Sequence, residues 1–190
     1  MSAVLDPSTP CAVPLLTAEE FFRRYPDHYV ELVKGVVKEI PMPGGEHGYV
    51  CGVIAWRIMN FVIDRDLGRV FINDTFVLTE RDPDSIRGMD VAYVSYSRLP
   101  KGPVPCGTLE VLPELVAEVR SPTDTWTDVF AKVEEYLAAG VSVVLVADPE
   151  KGTVSACRKG PTQQDFQAGD TLTVPDVLPG FAVPVAVLFE

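Results

Sequence analysis

A strand, a helix and a second strand follow one another in the middle of this sequence. Residues 114–120 and 141–147 are short apolar runs of strand length, and residues 124–139 have the spacing of an amphipathic helix that ends at Gly140. Strands joined by such a crossover helix lie parallel in one sheet. The run at 141–147 is nearly continuous, which is typical of a strand that is buried on both faces.

Hairpin strands and a long helix precede this unit, and further strands follow it. Caps, turn residues and apolar spacing predict a helix at 17–24, a hairpin at 29–40, a helix at 47–67, strands at 70–79 and 89–94, a loop at 81–88, a strand at 153–157, short strands near 164–174 and a closing apolar stretch at 181–189. This order predicts an α/β domain, more specifically α+β, in which helices flank one mixed central sheet with extra hairpin strands.

The length of 190 residues suits one domain. Residues 1–16 are rich in proline and small residues, so we expect a flexible N-terminal arm followed by a single domain at 17–190. The arm lacks the basic start and the long apolar run of a signal peptide, and no apolar run reaches the roughly 18 residues of a membrane span. We therefore expect a cytoplasmic protein that does not insert into a membrane.

Charge and cysteine spacing narrow the classes of partner. The chain has 27 acidic and 16 basic residues, a net charge of −11, which disfavours nucleic acid because that binding depends on cations near phosphates. A local basic groove would still permit nucleic-acid binding.

The four cysteines are Cys11, Cys51, Cys106 and Cys157. They are far apart and form no Cys-x-x-Cys or Cys/His cluster, so no zinc site is expected. Free thiols in a reducing cytosol are the simplest interpretation.

Glu118 is a carboxylate inside the apolar strand 114–120. Strand side chains alternate, so Glu118 and Arg120 share one face. A charge there is costly unless it is paired or bound to a metal. One interpretation is an internal Glu118–Arg120 ion pair near the strand end, and the other is a metal site.

Two further acids repeat this pattern. Asp90 opens the apolar strand at 89–94, where it could also be a turn carboxylate, and Glu31 lies in the hairpin, where it could be an exposed edge position. Asp90 and Glu118 at the ends of neighbouring strands would repel each other, and Mg²⁺ relieves such repulsion with oxygen ligands. The three acids together therefore predict a hard-cation site.

Lys132 lies on the helix that follows Glu118 and shares a helix face with Asp128 and Glu135. A lysine beside the metal would complete a phosphodiesterase site. The alternative is a solvent-exposed ion pair between Lys132 and Asp128, which is the commoner outcome at this spacing.

A series of fragments along nearly the whole chain resembles one family. The fragments are TAEEFFRRYPDHYVELVKGVV, EHG, LGRVF, MDVAYVS, LVAEVRSPTD, KVEEYLAAGV and LVADPE, and each is weak alone, but their order and spacing are specific. The chain resembles the restriction-endonuclease-like family of bacterial domain-of-unknown-function proteins, which is abundant in cyanobacteria and belongs to the PD-(D/E)xK nuclease superfamily.

The resemblance implies a restriction-endonuclease-like mixed sheet with the site at one end. It makes Asp90 the first acid of the motif, Glu118 the second, and Lys132 the motif lysine, relocated onto the following helix. Glu31 matches an additional acid that is common in the superfamily, and His47 matches a position beside the loop before the long helix.

Arg120 departs from the motif because it stands where the pattern Glu-x-Lys has lysine. Arginine does not act as a base at ordinary pH, but it binds phosphate well. We therefore predict that Arg120 either helps to hold a phosphate or pairs with Glu118 in an inactive site. A smaller departure is Met89, where a proline is usual.

These residues predict a nuclease that uses Mg²⁺ or Mn²⁺ and hydrolyses phosphodiesters with a metal-activated water. The expected metal ligands are Asp90 and Glu118, and the expected catalytic residues are Asp90, Glu118, Lys132, Arg120 and Glu31. Two alternatives stay open: an inactive binding or assembly domain on the same scaffold, and a metal-dependent hydrolase of small phosphorylated molecules.

Basic residues near the predicted site distinguish these functions. A cluster of them facing the carboxylates favours nucleic acid, and a scatter favours the two alternatives; they are Arg81, Arg87, Arg98 and Lys101. An enzyme that cuts a duplex would favour a homodimer by symmetry.

Overall fold

A computed structural model describes residues 14–26, 28–160 and 162–190 of the chain. Within these ranges the helices are α1 (Ala18–Arg24), α2 (Gly45–Asp64), α3 (Trp126–Ala139) and a closing 3₁₀ helix (Val185–Leu188). The strands are β1 (Val30–Val33), β2 (Val36–Glu39), β3 (Gly68–Glu80), β4 (Ser85–Ser95), β5 (Leu115–Val119), β6 (Val143–Asp148), β7 (Thr153–Cys157), β8 (Gln163–Phe166), β9 (Thr171–Thr173) and β10 (Ala182–Pro184).

In the described part of the chain, eight strands form one mixed sheet in the order β2-β1-β4-β5-β6-β7-β8, with β3 paired to β4. The pair β5–β6 is parallel, as the central strand–helix–strand unit predicts, and the other pairs of this sheet are antiparallel. The predicted fold class, a mixed central sheet flanked by helices, is confirmed.

The two longer helices cover opposite faces of the sheet. Val50, Ile54 and Ile58 of α2 pack with one set of alternating strand residues, including those of β5 at Leu115 and Ala117. On the other face, α3 packs Val133 and Tyr136 against the set that includes Val116 and Val144. The polar end of β5 therefore opens between the start of α2 and the middle of α3.

The predicted loop at 81–88 is partly wrong because β4 begins at Ser85 and runs for 11 residues. Ile86 is buried in the core, and Arg87 is buried through ion pairs rather than exposed. The polar residues of this segment favoured a loop in the sequence. A charged residue can nevertheless occupy a buried strand position when it is fully paired.

The predicted end of the long helix at residue 67 is also wrong. The helix α2 ends at Asp64, and Gly68 is the first residue of β3. A Cβ atom at Gly68 would lie 2.2 Å from the carbonyl oxygen of Val94 on β4. Gly68 therefore allows β3 and β4 to pack closely at this point.

The predicted arm at 1–16 lies largely outside the described residues. Of its last residues, Leu16 is buried and its backbone N–H donates to the carbonyl of Gly35. The first turn of α1 has the predicted capping box between Thr17 and Glu20. No helix in the described ranges is long and apolar enough to cross a membrane.

Candidate active site

Asp90 and Glu118 meet where β4 and β5 stop pairing. The two strands pair Val91 with Ala117, and the same register continued by one residue sets Asp90 opposite Glu118. The backbone N–H of Val119 then donates to Oδ2 of Asp90 at 2.8 Å, so the Asp90 side chain replaces a backbone carbonyl as the acceptor at the end of the strand pair. A cavity of about 330 Å³ opens at this point and contains every residue predicted for the site: Glu31, His47, Asp90, Glu118, Arg120 and Lys132.

Glu118 is held by two residues of α3. The hydroxyl of Tyr136 donates to Oε1 at 3.0 Å, and Nζ of Lys132 donates to Oε2 at 2.9 Å. Burial raises the pKa of Glu118 to about 8, with a smaller rise from Asp90, and the Lys132 ammonium opposes the rise. The sequence did not predict this hydrogen bond from Tyr136.

Lys132 lies inside a cage of three oxygens. Besides Glu118, its ammonium contacts the carbonyl of Gly88 at 2.9 Å and Oε1 of Glu31 at 3.2 Å. Burial would lower the pKa of Lys132, but the carboxylates of Glu118 and Glu31 hold it well above its ordinary value. The alternative surface pair with Asp128 is not formed. The carboxylate of Asp128 instead accepts from the hydroxyl of the N-cap residue Thr125, which in turn accepts from the backbone N–H of Asp128.

Glu31 is buried, so the alternative of an exposed edge position is wrong. Its Oε1 accepts from the backbone N–H of Gly88, and its Oε2 accepts from Arg87, both at 2.9 Å. Burial would raise the pKa of Glu31, but Lys132 and Arg87 together hold it below its ordinary value. Glu31 thus links Lys132 to a second buried cation.

Arg87 joins Glu31 to Glu135 of α3. Its Nε lies 3.0 Å from both oxygens of Glu135, and its Nη2 lies 2.5 Å from Oε2. Thr79 donates to the same carboxylate. The network fixes the face of α3 that carries Lys132 against β1 and β4.

Replacing Arg87 with methionine is expected to lower the free energy of unfolding by about 3–5 kcal/mol, because Glu31 and Glu135 would stay buried without their shared cation. Denaturant unfolding followed by circular dichroism measures the change. The control Arg23→Met removes the same charge from an exposed pair with Glu20, and it should cost less than about 1 kcal/mol. Equally small changes in both variants would contradict a structural role for the buried network.

Asp90 is also in contact with α2. Its Oδ2 lies 3.3 Å from Nε2 of His47, and this contact raises the pKa of His47 against the effect of burial. On the far side of the imidazole ring, Nδ1 lies 3.6 Å from Sγ of Cys51. In the described part of the chain, Oδ1 of Asp90 accepts no hydrogen bond, so this oxygen is available inside the cavity.

Asp74 is a further acid of the cavity that sequence reasoning missed. It lies at an irregularity of β3 where Asn73 and Asp74 both have positive φ. Its Oδ2 accepts from the hydroxyl of Tyr29 at 2.9 Å, and burial raises its pKa. The signal was an Asn-Asp dipeptide inside an otherwise apolar strand, which is typical of a β-bulge.

Arg120 does not pair with Glu118, so that interpretation is wrong. Its Nη1 lies 3.2 Å from Asp148 and 2.9 Å from Glu150, and its guanidinium lies 5.2 Å from the centre of the Trp126 ring. Glu118 points to α3 instead. Arg120 nevertheless lines the cavity, on the side of the loop that leads to α3.

The four basic residues near the site are scattered. Arg81 pairs with Asp84 and Glu19, Arg98 with Glu114, and Lys101 with Asp66; none of these three cations lines the cavity. Arg87 does line it, but its charge is shared between Glu31 and Glu135. By the criterion set from the sequence, this scatter favours the alternatives to a nucleic-acid substrate.

Comparison with known proteins supports the same fold. The family profile "Uma2: Putative restriction endonuclease" matches residues 18–186. Among solved structures, "a putative nuclease belonging to DUF820 from Anabaena variabilis ATCC 29413" is similar, with a TM-score of 0.80, 22% identity, and coverage of 92% of this chain and 97% of that one. The TM-score shows that the two proteins share a fold. A search of curated proteins found no match.

Proposed function

This chain belongs to the Uma2 family, and on that premise we propose that it is a metal-dependent nuclease that hydrolyses phosphodiester bonds. The observation that carries the proposal is the joint placement of Asp90, Glu118 and Lys132 at one opening of the sheet. Two carboxylates on adjacent strands with a lysine beside them form a site for phosphoryl chemistry.

The donor set fits a hard divalent cation. Asp90 offers Oδ1, which accepts no hydrogen bond from the described residues, and each oxygen of Glu118 accepts one hydrogen bond and keeps a second lone pair. We assign Asp90 and Glu118 as the residues that would hold Mg²⁺ or Mn²⁺. The ion would supply a water of lowered pKa and would polarise a phosphoryl oxygen.

Lys132 has two roles in this proposal. Its ammonium limits the rise that burial causes in the pKa of Glu118, and so it favours the ionised form that binds a cation. It also places a positive charge beside the two carboxylates, where the phosphate of a substrate would enter. Glu31 and the Gly88 carbonyl also contact this ammonium and hold it in position.

Arg120 is proposed to hold a non-reacting oxygen of the phosphate. Its partner Glu150 has a side chain that is 72% exposed, so an incoming phosphate could replace that carboxylate while Asp148 keeps the guanidinium in place. Arginine suits this role because its donors match two oxygens of one phosphate.

Replacing Arg120 with alanine is therefore expected to lower the cleavage rate by roughly 10²- to 10³-fold, as loss of an oriented donor does. Single-turnover cleavage kinetics measure the effect. Arg158→Ala, which removes an arginine paired with Asp176 away from the cavity, is the control. Wild-type activity that survives Arg120→Ala unchanged would remove this role.

A hydrolase of small phosphorylated molecules is the second candidate, and the scattered basic residues favour it. Beyond the ion-paired Arg87, Arg120 and Lys132, Lys38 is the only further lysine or arginine among the described residues that line the cavity, whereas long nucleic acids need several cations along the backbone. We keep a homodimer and a cytoplasmic location as parts of the proposal, because symmetry suits a duplex substrate and widely spaced thiols suit a reducing compartment.

An assay with and without a chelator tests both candidates. The substrates are single- and double-stranded DNA and RNA together with a small synthetic phosphodiester, each with Mg²⁺ or Mn²⁺. Cleavage of any of them that the chelator abolishes supports metal-dependent hydrolysis, and the preferred substrate separates the two candidates. No metal-dependent cleavage of any substrate would leave the inactive binding domain as the better description.

A further inference from the structure

A cysteine stands beside the two acids at the edge of the cavity. His47 and Cys51 lie four residues apart near the start of α2, so they share a helix face. With Asp90 they form a group in which one imidazole nitrogen, the thiol sulfur and a carboxylate oxygen all lie within 4.8 Å of one another. The expectation of no Cys/His cluster is therefore wrong, because it overlooked the spacing His47-x-x-x-Cys51 on one helix.

We propose that His47, Cys51 and Asp90 bind a thiophilic divalent cation, Zn²⁺, in a site that shares Asp90 with the hard-cation site. Only the sharing of Asp90 rests on the proposed function. One carboxylate then serves both ions, and the charge of Zn²⁺ beside Asp90 opposes the binding of a second divalent cation, so Zn²⁺ weakens the binding of Mg²⁺. Zinc is thus an antagonist of the Mg²⁺ form.

The three ligand types suit zinc and not magnesium. Zinc takes cysteine sulfur, histidine nitrogen and carboxylate oxygen, often three from the protein with a fourth position open. Magnesium prefers six oxygens and does not favour sulfur. The cavity side of the cluster leaves room for a fourth ligand, since His47 and Asp90 both line the cavity.

The distances require a small closure of the cluster. Ligand atoms around tetrahedral zinc lie about 3.3–3.6 Å apart, given metal–ligand distances of about 2.0–2.3 Å. Nε2 of His47 faces Asp90 at 3.3 Å and Nδ1 faces Cys51 at 3.6 Å, so the two partners contact different ring nitrogens. One nitrogen, the sulfur and a carboxylate oxygen still lie within 4.8 Å of one another, so shifts of about 1 Å bring the three ligand atoms to the spacing that zinc requires. On binding, the thiol proton of Cys51 leaves to solvent and the sulfur becomes the thiolate ligand.

Packing alone is the competing explanation for Cys51, because cysteine often behaves as a small apolar residue. Its side chain does touch the core on the α2 face. The contact of Sγ with an imidazole that is itself bound to a carboxylate is not needed for packing. Among the described residues, neither Cys106 nor Cys157 belongs to a group of three potential ligands, so both serve as controls.

Cobalt(II) reports this site directly, because a cobalt ion bound to thiolate has a charge-transfer absorption that oxygen and nitrogen ligands do not produce. We expect Co²⁺ titration of the wild-type protein to give this band, with Zn²⁺ abolishing it and excess Mg²⁺ reducing it. Cys51→Ser should lose the band and weaken Zn²⁺ binding at least about tenfold. Cys157→Ser and Cys106→Ser should keep both.

The band is measured on the wild-type protein, so a folding defect in a variant does not hide the answer. No band in the wild type, or an equal band in Cys51→Ser, overturns the zinc site. A band that Mg²⁺ at saturating concentration leaves unchanged overturns the shared use of Asp90. None of these results depends on cleavage activity, so they are distinct from a failure of the nuclease proposal.

Discussion

Lys132→Met is expected to lower metal-dependent cleavage by at least about 10²- to 10³-fold, the loss typical for one oriented charged donor. Methionine keeps an unbranched stem of similar length but has no ammonium. Without it, burial raises the pKa of Glu118 further, because Lys132 is the group that opposes this rise. The pKa of Glu118 is already raised to about 8, so a further rise makes a cation compete with a more tightly held proton, and one substitution removes the donor and weakens a metal ligand.

Single-turnover kinetics at saturating Mn²⁺ measure this loss, and circular dichroism verifies that the variant is folded. Lys159→Met removes the same charge from an exposed residue outside the cavity and is the matched control. Because Glu118 titrates, the residual activity of Lys132→Met should increase as the pH is raised. A folded Lys132→Met protein with the activity of the control would show that this lysine has no part in catalysis.

The central unit of the fold could be predicted from its sequence periods. The apolar runs around Glu118 and at 141–147 have strand length, and the helix between them ends at a glycine, so the parallel pair β5–β6 followed from local rules. Glu118 stood out because a carboxylate inside an apolar strand needs a partner. Asp90 and Lys132 were candidates from their places in the sequence, and the order of fragments that resemble a known family favoured them over their alternative interpretations.

The partners of these residues could not be predicted, because they come from distant parts of the chain. A pair between Arg120 and Glu118, two residues apart, was one of two interpretations, but the parallel neighbour β6 brings Asp148 to Arg120 instead. Arg87 was predicted to lie in a loop. In the structure it is buried between Glu31 of β1 and Glu135 of α3. Asp74 reaches the cavity only through the irregularity of β3.

Asp90→Asn is expected to abolish specific binding of the hard cation. Asparagine keeps the size of the side chain and an oxygen that can accept from the N–H of Val119, so the strand end should stay intact. It removes the negative charge that a hard cation requires. Cleavage should fall by at least about 10²-fold. Loss of a residue that only orients a metal ligand typically costs 10- to 100-fold, and loss of the ligand itself should cost no less.

Calorimetric titration of Mn²⁺ into the wild-type protein and into Asp90→Asn is the most direct measurement. Asp165→Asn, which removes the same charge from β8 outside the cavity, is the control. We predict weak binding in the millimolar range for the wild type and Asp165→Asn, since Mg²⁺-like sites with few carboxylates bind weakly without substrate. We predict no specific binding for Asp90→Asn. Equal binding by all three proteins would contradict a metal site at Asp90 and Glu118.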